Sequence, residues 1–131
     1  MIIGLDFDNT IVSYDRLFHR VSCEQGLIKN DFKINKIKIR DYLRSIDNEN
    51  KWTEMQGYVY GNRMNEAESF NNVKNFFNIN KGKNKLIIIS HKTKFPFKGE
   101  KYDLHKAAKE WIYNNLVSSE FSLNDCFFEE T

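Results

Sequence analysis

The sequence predicts an α/β protein built on a parallel sheet, and three observations carry that expectation. Three short apolar segments, Met1 to Leu5, Leu86 to Ile89 and Cys126 to Phe128, have the length and residue type of buried strands. Stretches with helical spacing lie between them, so the order strand, helix, strand, helix, strand implies right-handed crossovers. The first apolar run also leads straight into Asp6-Phe7-Asp8-Asn9-Thr10, with two carboxylates at alternate positions where a strand would end.

The elements follow from local pattern. Asp103 to Ile112 reads as a crossover helix, with Leu104, Ala107, Ala108, Trp111 and Ile112 on one face and Asp103 as N-cap. Glu66 to Phe77 places Phe70, Val73 and Phe77 on one stripe and is expected to be helical, and the Asn/Lys/Gly-rich stretch Asn78 to Asn84 then turns into the second strand. About fifty residues separate the first strand from the Glu66 segment, far more than the roughly 2–6 residues of an ordinary connection in such units. That insertion is expected to be structured. Asp15 to Gln25 carries Leu17, Phe18 and Val21 with Gly26 placed to stop a helix, and Arg40 to Ile46 suggests a second one. Residues 15–65 are therefore expected to form a small helical cap on a core made of residues 1–14 and 66–131, and the single proline, Pro96, falls in a loop.

Bulk properties narrow the function classes. A chain of 131 residues with 40% hydrophobic side chains suits one compact domain, and 20 basic against 18 acidic residues give a net charge of +2, too balanced to imply a nucleic-acid or membrane partner. The basic run Lys29, Lys33, Lys36, Lys38 and Arg40 is interleaved with isoleucines and is expected to be a solvated face. Cys23 and Cys126 belong to no short metal or redox motif, which favours free thiols in a reducing cytoplasm and leaves one disulfide open. The amino-terminal apolar run is short, lacks a basic leader and is broken by Asp6, so no secretion signal is expected, and no segment approaches the roughly 20 apolar residues of a membrane span. Cytoplasmic residence is the expectation.

The chemistry points to the first ten residues. Strand side chains alternate faces, so Asp6 and Asp8 share one side while Phe7 packs away, with Thr10 following. Two carboxylates at a strand's carboxyl end suit a Mg²⁺ ion and a phosphate. Together with Ile87-Ile88-Ile89-Ser90 on the second strand, this order resembles the haloacid dehalogenase-like hydrolase superfamily, most of whose members are Mg²⁺-dependent phosphatases. The resemblance implies a Rossmann-like three-layer core with a cap inserted after strand 1. It implies Asp6 as the nucleophile that becomes an aspartyl phosphate, and Asp8 as the acid/base that protonates the leaving oxygen and then activates water. The Asp6 carboxylate and the Asp8 main-chain carbonyl would ligate Mg²⁺. Thr10 and Ser90 would contact the phosphate, although a serine at a strand end can equally be a polar terminus or a helix cap.

His91 and Lys92 follow Ser90 directly. His91 is a candidate substrate contact. Lys92 is expected to be a solvated loop lysine, with steering of the phosphate as the alternative. Within the superfamily the chain is similar to small capped members from bacterial surface-polysaccharide gene clusters, through Gln25-Gly26-Leu27-Ile28, Ile39-Arg40-Asp41-Tyr42-Leu43, the stretch Trp52 to Gly61, and Ile89-Ser90-His91-Lys92-Thr93. This implies a small phosphorylated metabolite as partner, a sugar phosphate among the choices, by association only. In the insertion, Arg40, Trp52, Gln56, Tyr58, Tyr60 and Arg63 offer hydrogen-bonding and aromatic surface for a polar ligand such as a sugar, with Arg40 and Gln56 as candidate substrate contacts or else structural residues, the aromatics alternatively cap core, and Trp52 reading as core.

The family pattern goes on to a site lysine and a fourth strand with further aspartates, which the sequence through Phe127-Phe128-Glu129-Glu130-Thr131 does not include. Lys92 matches that lysine in charge and not in position. A fourth strand would also flank the first, so a homodimer or a complementing chain across that edge is expected. Impaired hydrolysis is the expected consequence, with a non-catalytic binding or assembly protein as the other reading.

Overall fold

The computed structural model describes residues 1–130, and Thr131, the last residue of the expected core segment, lies outside them. Among the described residues there is a three-stranded parallel sheet. Strand β1 (Ile2–Leu5) opens the chain, and a short β2 (Val12–Ser13) follows. Helices α1 (Asp15–Glu24), α2 (Lys36–Ser45) and α3 (Glu49–Gly61) come next, then β3 (Glu68–Ser69) and α4 (Val73–Ile79). Strand β4 (Lys85–His91), helix α5 (Leu104–Asn115) and β5 (Cys126–Glu129) complete the order. β4 is central, with β1 parallel on one side and β5 parallel on the other.

Both crossovers step across the sheet in the same direction. Right-handed connections then put their helices on the same face. Burial follows that rule: Leu86, Ile88, Ser90 and Cys126 are buried on the covered face, while Ile2, Ile89 and Phe127 on the other are 69%, 47% and 46% exposed. Phe77 of α4 packs edge-on against Phe121 beyond α5, ring centres 5.0 Å apart, which places both connections on that covered side. The described residues therefore make two layers, and the three-layer core implied by the resemblance is not what they form.

The expected helix over Glu66 to Phe77 is corrected. Residues Met64–Glu66 make one 3₁₀ turn, Glu68–Ser69 pair antiparallel with β2, and α4 begins only at Val73. Asn72 explains the break, because its φ of 73° is left-handed and ends any continuous helix there. The β2–β3 pair closes the base of the insertion, Val12 opposite Ser69 and Ser13 opposite Glu68.

The insertion holds three helices. α2 starts four residues before the sequence pattern suggested, because Asn35 accepts a 2.9 Å bond from the Lys38 amide as N-cap. Gly26 follows α1 at φ 70°, the left-handed stop expected of it. α5 likewise begins behind Asp103, whose carboxylate accepts from Lys106 N–H at 3.0 Å. One continuous apolar core links the insertion to the sheet: Phe7, Tyr14, Phe18, Trp52, Met55 and Trp111 belong to it. α3 approaches the loop after β4 closely through two glycines. A Cβ on Gly57 would stand 2.6 Å from Pro96 and one on Gly61 2.3 Å from Tyr102, so this seam requires both to lack a side chain. No described helix is long and apolar enough to cross a membrane.

Candidate active site

The turn after β1 is built around the Phe7 carbonyl. The amides of Thr10, Ile11 and Val12 all point at it, at 3.3, 2.9 and 3.2 Å, and Asn9 adopts φ 62° to close the turn. Phe7 itself is fully buried, edge-on to Trp111 and Phe128. That anchor forces the residues on either side of it toward the other face, as the alternation predicts.

Asp6 lies beside Ser90. The Ser90 hydroxyl donates to Asp6 Oδ1 at 2.7 Å, and the Phe7 amide donates to the same oxygen at 2.8 Å. The two meet at the strand ends: Leu5, the last residue of β1, sits opposite Ile88, so the chain just beyond β1 runs beside Ser90, two residues further along β4. Oδ2 of Asp6 has no hydrogen-bond partner among the described residues.

Asp8 is more heavily engaged. Tyr14 donates its hydroxyl to Asp8 Oδ1, and Lys92 donates to Oδ2 at 2.9 Å. Lys92 is 7% exposed, so the solvated loop lysine expected from sequence is corrected. Its main chain is fixed on both sides: its N–H donates to the Glu129 carbonyl at 2.9 Å, and its carbonyl lies 2.6 Å from His105 Nε2. The His105 ring stacks on Phe128. The Lys92 ammonium also stands 4.5 Å from the centre of the Tyr60 ring, a cation–π contact that offsets part of the cost of its burial.

A second cation lies close by. Lys36, at the start of α2, donates to the Tyr60 hydroxyl at 2.6 Å, and its ammonium stands 5.3 Å from the Tyr60 ring centre, 5.4 Å from Phe18 and 5.7 Å from Tyr14. Lys36 is half-buried, unlike Lys29, Lys33 and Lys38 of the basic run, which corrects the solvated-face expectation at this position. Burial lowers its pKa first, Asp8 opposes that, and Lys92 adds to it, so the three charges share one field.

The other expected residues fall in different places. Thr10 is exposed and enters the turn only through its amide. His91 alternates to the opposite side of β4 from Ser90 and is exposed, so the structure does not bring it to the carboxylates. Arg40 spends its guanidinium on its neighbour Asp41, at 3.1 and 3.0 Å. Gln56 is half-buried and lies one turn before Tyr60 on α3, where its side chain partly offsets the rise of the Tyr60 pKa. Arg63 is tied up by Glu24 and Glu66, and Trp52 is core, packed on Phe18 at 4.9 Å. Tyr14 and His105 carried no signal in sequence: a tyrosine six residues past an aspartate and a histidine on a crossover helix become site residues only through the turn and the β4–α5 packing. Cys23 and Cys126 are both free, and burial first, then the Asp125 charge, pushes the Cys126 thiol up to about 11.

Among the described residues no group of three or more His, Cys, Asp or Glu is arranged to hold a metal ion. The oxygens left for Mg²⁺ are Asp6 Oδ2 and the Asp8 main-chain carbonyl, since the short bridge between Asp8 and Val12 uses the Phe7 carbonyl and the Asn9 amide instead. Two protein oxygens fit an ion that keeps several waters and takes further ligands from a substrate phosphate. No protein-family model, curated protein or solved structure matched the chain in the three comparisons made.

The two phenols at the site give a direct test of this geometry. Burial first, then the Asp8 charge, raises the pKa of both Tyr14 and Tyr60 well above the ordinary 10. In the unfolded chain both ionise near 10, so the folded state holds protons that the unfolded state has lost, and stability falls as pH rises past about 10. Alkaline difference spectroscopy should show two of the six tyrosines resisting ionisation until the protein unfolds, and a Tyr14→Phe, Tyr60→Phe variant should lose that resistant fraction. Six phenols titrating together in the folded protein would contradict the buried arrangement.

Proposed function

We propose that the chain is a Mg²⁺-dependent phosphohydrolase of the haloacid dehalogenase type, acting on a small phosphoester through an aspartyl phosphate. The observation that carries this reading is the pair of carboxylates at the end of β1, one oriented by Ser90 and Phe7 N–H with an oxygen free, the other bonded to Lys92 and Tyr14. A carboxylate with one oxygen fixed and one free is placed as a nucleophile. Lys92 supplies positive charge beside it, which eases the approach of a phosphate dianion to an anionic attacker.

In this mechanism Asp6 Oδ2 forms a bond to phosphorus as the ester oxygen departs, and Asp8 gives that oxygen a proton that it must first take up from solvent, with Lys92 or Tyr14 released from its carboxylate. Water then attacks the aspartyl phosphate, Asp8 takes the proton from the water, and phosphate leaves with Asp6 restored. Ser90 keeps Asp6 aligned and stands within reach of a phosphoryl oxygen. Mg²⁺, when bound, would be held by Asp6 and the Asp8 carbonyl and would neutralise phosphate charge. A sugar phosphate is the substrate class that the surface-polysaccharide resemblance suggests, and the free thiols fit a reducing cytoplasm.

p-Nitrophenyl phosphate with Mg²⁺ tests the reading. Turnover should be measurable, should vanish on chelation, and should drop by about 100-fold or more in Asp6→Asn, with a smaller loss in Ser90→Ala. Asp6→Asn with unchanged turnover would refute the nucleophile.

The second reading, a non-catalytic binding or assembly protein on the same scaffold, draws on the bare sheet face around Ile2, Ile89 and Phe127 and the open edge of β1. Parallel sheets are normally covered on both faces, and a second copy would cover this one. Light scattering at micromolar concentration should then show a dimer that Ile89→Lys dissociates. A stable wild-type monomer would remove the support for self-assembly.

A further inference from the structure

Lys36 is the cation that the proposed hydrolysis does not use. Its ammonium is half-buried among the rings of Tyr14, Phe18 and Tyr60, and its one side-chain hydrogen bond among the described residues is to a neutral phenol. No carboxylate lies within ion-pair distance of its Nζ among those residues: Asp15, which α1 brings to the start of α2, accepts from the Lys36 main-chain N–H at 2.8 Å instead. Asp8 is already engaged on both oxygens by Tyr14 and Lys92. A half-buried lysine with no ion-pair partner is compensated only from a distance, by Asp8 and Asp15, and two of its three donors have no protein acceptor among the described residues.

The position of Lys36 gives that spare charge a use. Both lysines lie beside Tyr60, with Lys92 4.5 Å and Lys36 5.3 Å from the centre of its ring. Lys92 belongs to the end of β4, beside the carboxylates, whereas Lys36 opens α2 in the inserted helices. A small ligand held at Asp6 and Lys92 by a phosphoryl group therefore has a second ammonium within reach, on the insertion side. Mutual repulsion of the two lysines is relieved when a negative group lies beside both.

We infer that Lys36 forms a second anion subsite, so that the preferred ligand is a phosphorylated small molecule bearing a further negative group, a carboxylate or second phosphate, a few bonds from the first. The inference rests on the phosphoester reading above and adds the class of ester. Tyr60 positions Lys36 through its hydroxyl. Charge-assisted bonds from a partly buried ammonium are stronger than those in open solvent, so the second group is discriminated as well as attracted.

A pair of uncleavable probes tests it without depending on turnover. Propylphosphonate and 3-phosphonopropionate have the same phosphonate and chain length and differ in a terminal methyl or carboxylate. Calorimetry on the full chain with Mg²⁺ should give at least about tenfold tighter binding of 3-phosphonopropionate, which corresponds to ~1.4 kcal/mol. Lys36→Met keeps the aliphatic stem in the ring cage and removes the charge, so it should bring the two affinities within about threefold of each other. Lys36→Arg should retain a preference. Equal binding of the two probes by the wild-type chain, a preference that survives Lys36→Met, or no binding of either probe would overturn the inference. Failure of the hydrolase reading looks different: the probes bind with the expected preference while p-nitrophenyl phosphate is not turned over.

Discussion

The carboxylate of Asp8 ties together segments that lie far apart in the sequence. Tyr14 reaches it from the chain just beyond β2, and Lys92 reaches it from the end of β4. Lys92 in turn is fixed through its main chain to β5 and to α5, by Glu129 and His105. Burying an ammonium is costly unless it is paired, and removing one partner of a buried pair typically costs about 3–5 kcal/mol, less where one partner keeps some contact with water as Asp8 does. The ion pair thus constrains where the turn after β1, the end of the central strand and the last strand stand relative to one another. Asp6 and Ser90 meet within that frame.

The one-sided sheet is the second constraint, and it follows from topology. Two crossovers in the same direction put their helices on the same face, so the chain concentrates its aromatic core there: Phe7, Trp111 and Phe128 on the sheet side, Phe18, Trp52 and Tyr14 toward the insertion. The inserted helices share that core and do not stand apart from it. Their closeness is enforced at Gly57 and Gly61, where α3 lies directly on Pro96 and Tyr102. As a result the insertion delivers Tyr60 and Lys36 to within a few ångströms of groups carried by the sheet.

Much of this was legible from sequence, for identifiable reasons. Short apolar runs made all three sheet strands legible, and the Asp-Phe-Asp alternation made the burial of Phe7 between the two aspartates legible, although β1 itself ends at Leu5. α5 was legible through its cap and stripe. The stretch after Glu66 was misleading, since three apolar residues at helical spacing outweighed a left-handed Asn72 and a two-residue pairing with β2 that no local pattern encodes. The lysines were misjudged for a related reason. Lysine is normally solvated, and only tertiary contacts, an aspartate for Lys92 and three rings for Lys36, reveal the exceptions. Arg40 and His91 show the converse: residue types suited to a ligand, turned by helix and strand geometry toward a neighbour or toward solvent.

The site depends most on the Lys92 ammonium being held by Asp8 inside the protein. Nitrogen-15 correlation spectra selective for lysine side chains measure this directly, because a buried, hydrogen-bonded ammonium exchanges its protons slowly enough to be seen whereas solvated ones do not. The arrangement predicts a protected ammonium resonance that disappears in Lys92→Met and shifts or broadens in Asp8→Asn. A spectrum with no protected resonance from Lys92, or one that Asp8→Asn leaves unchanged, would contradict it.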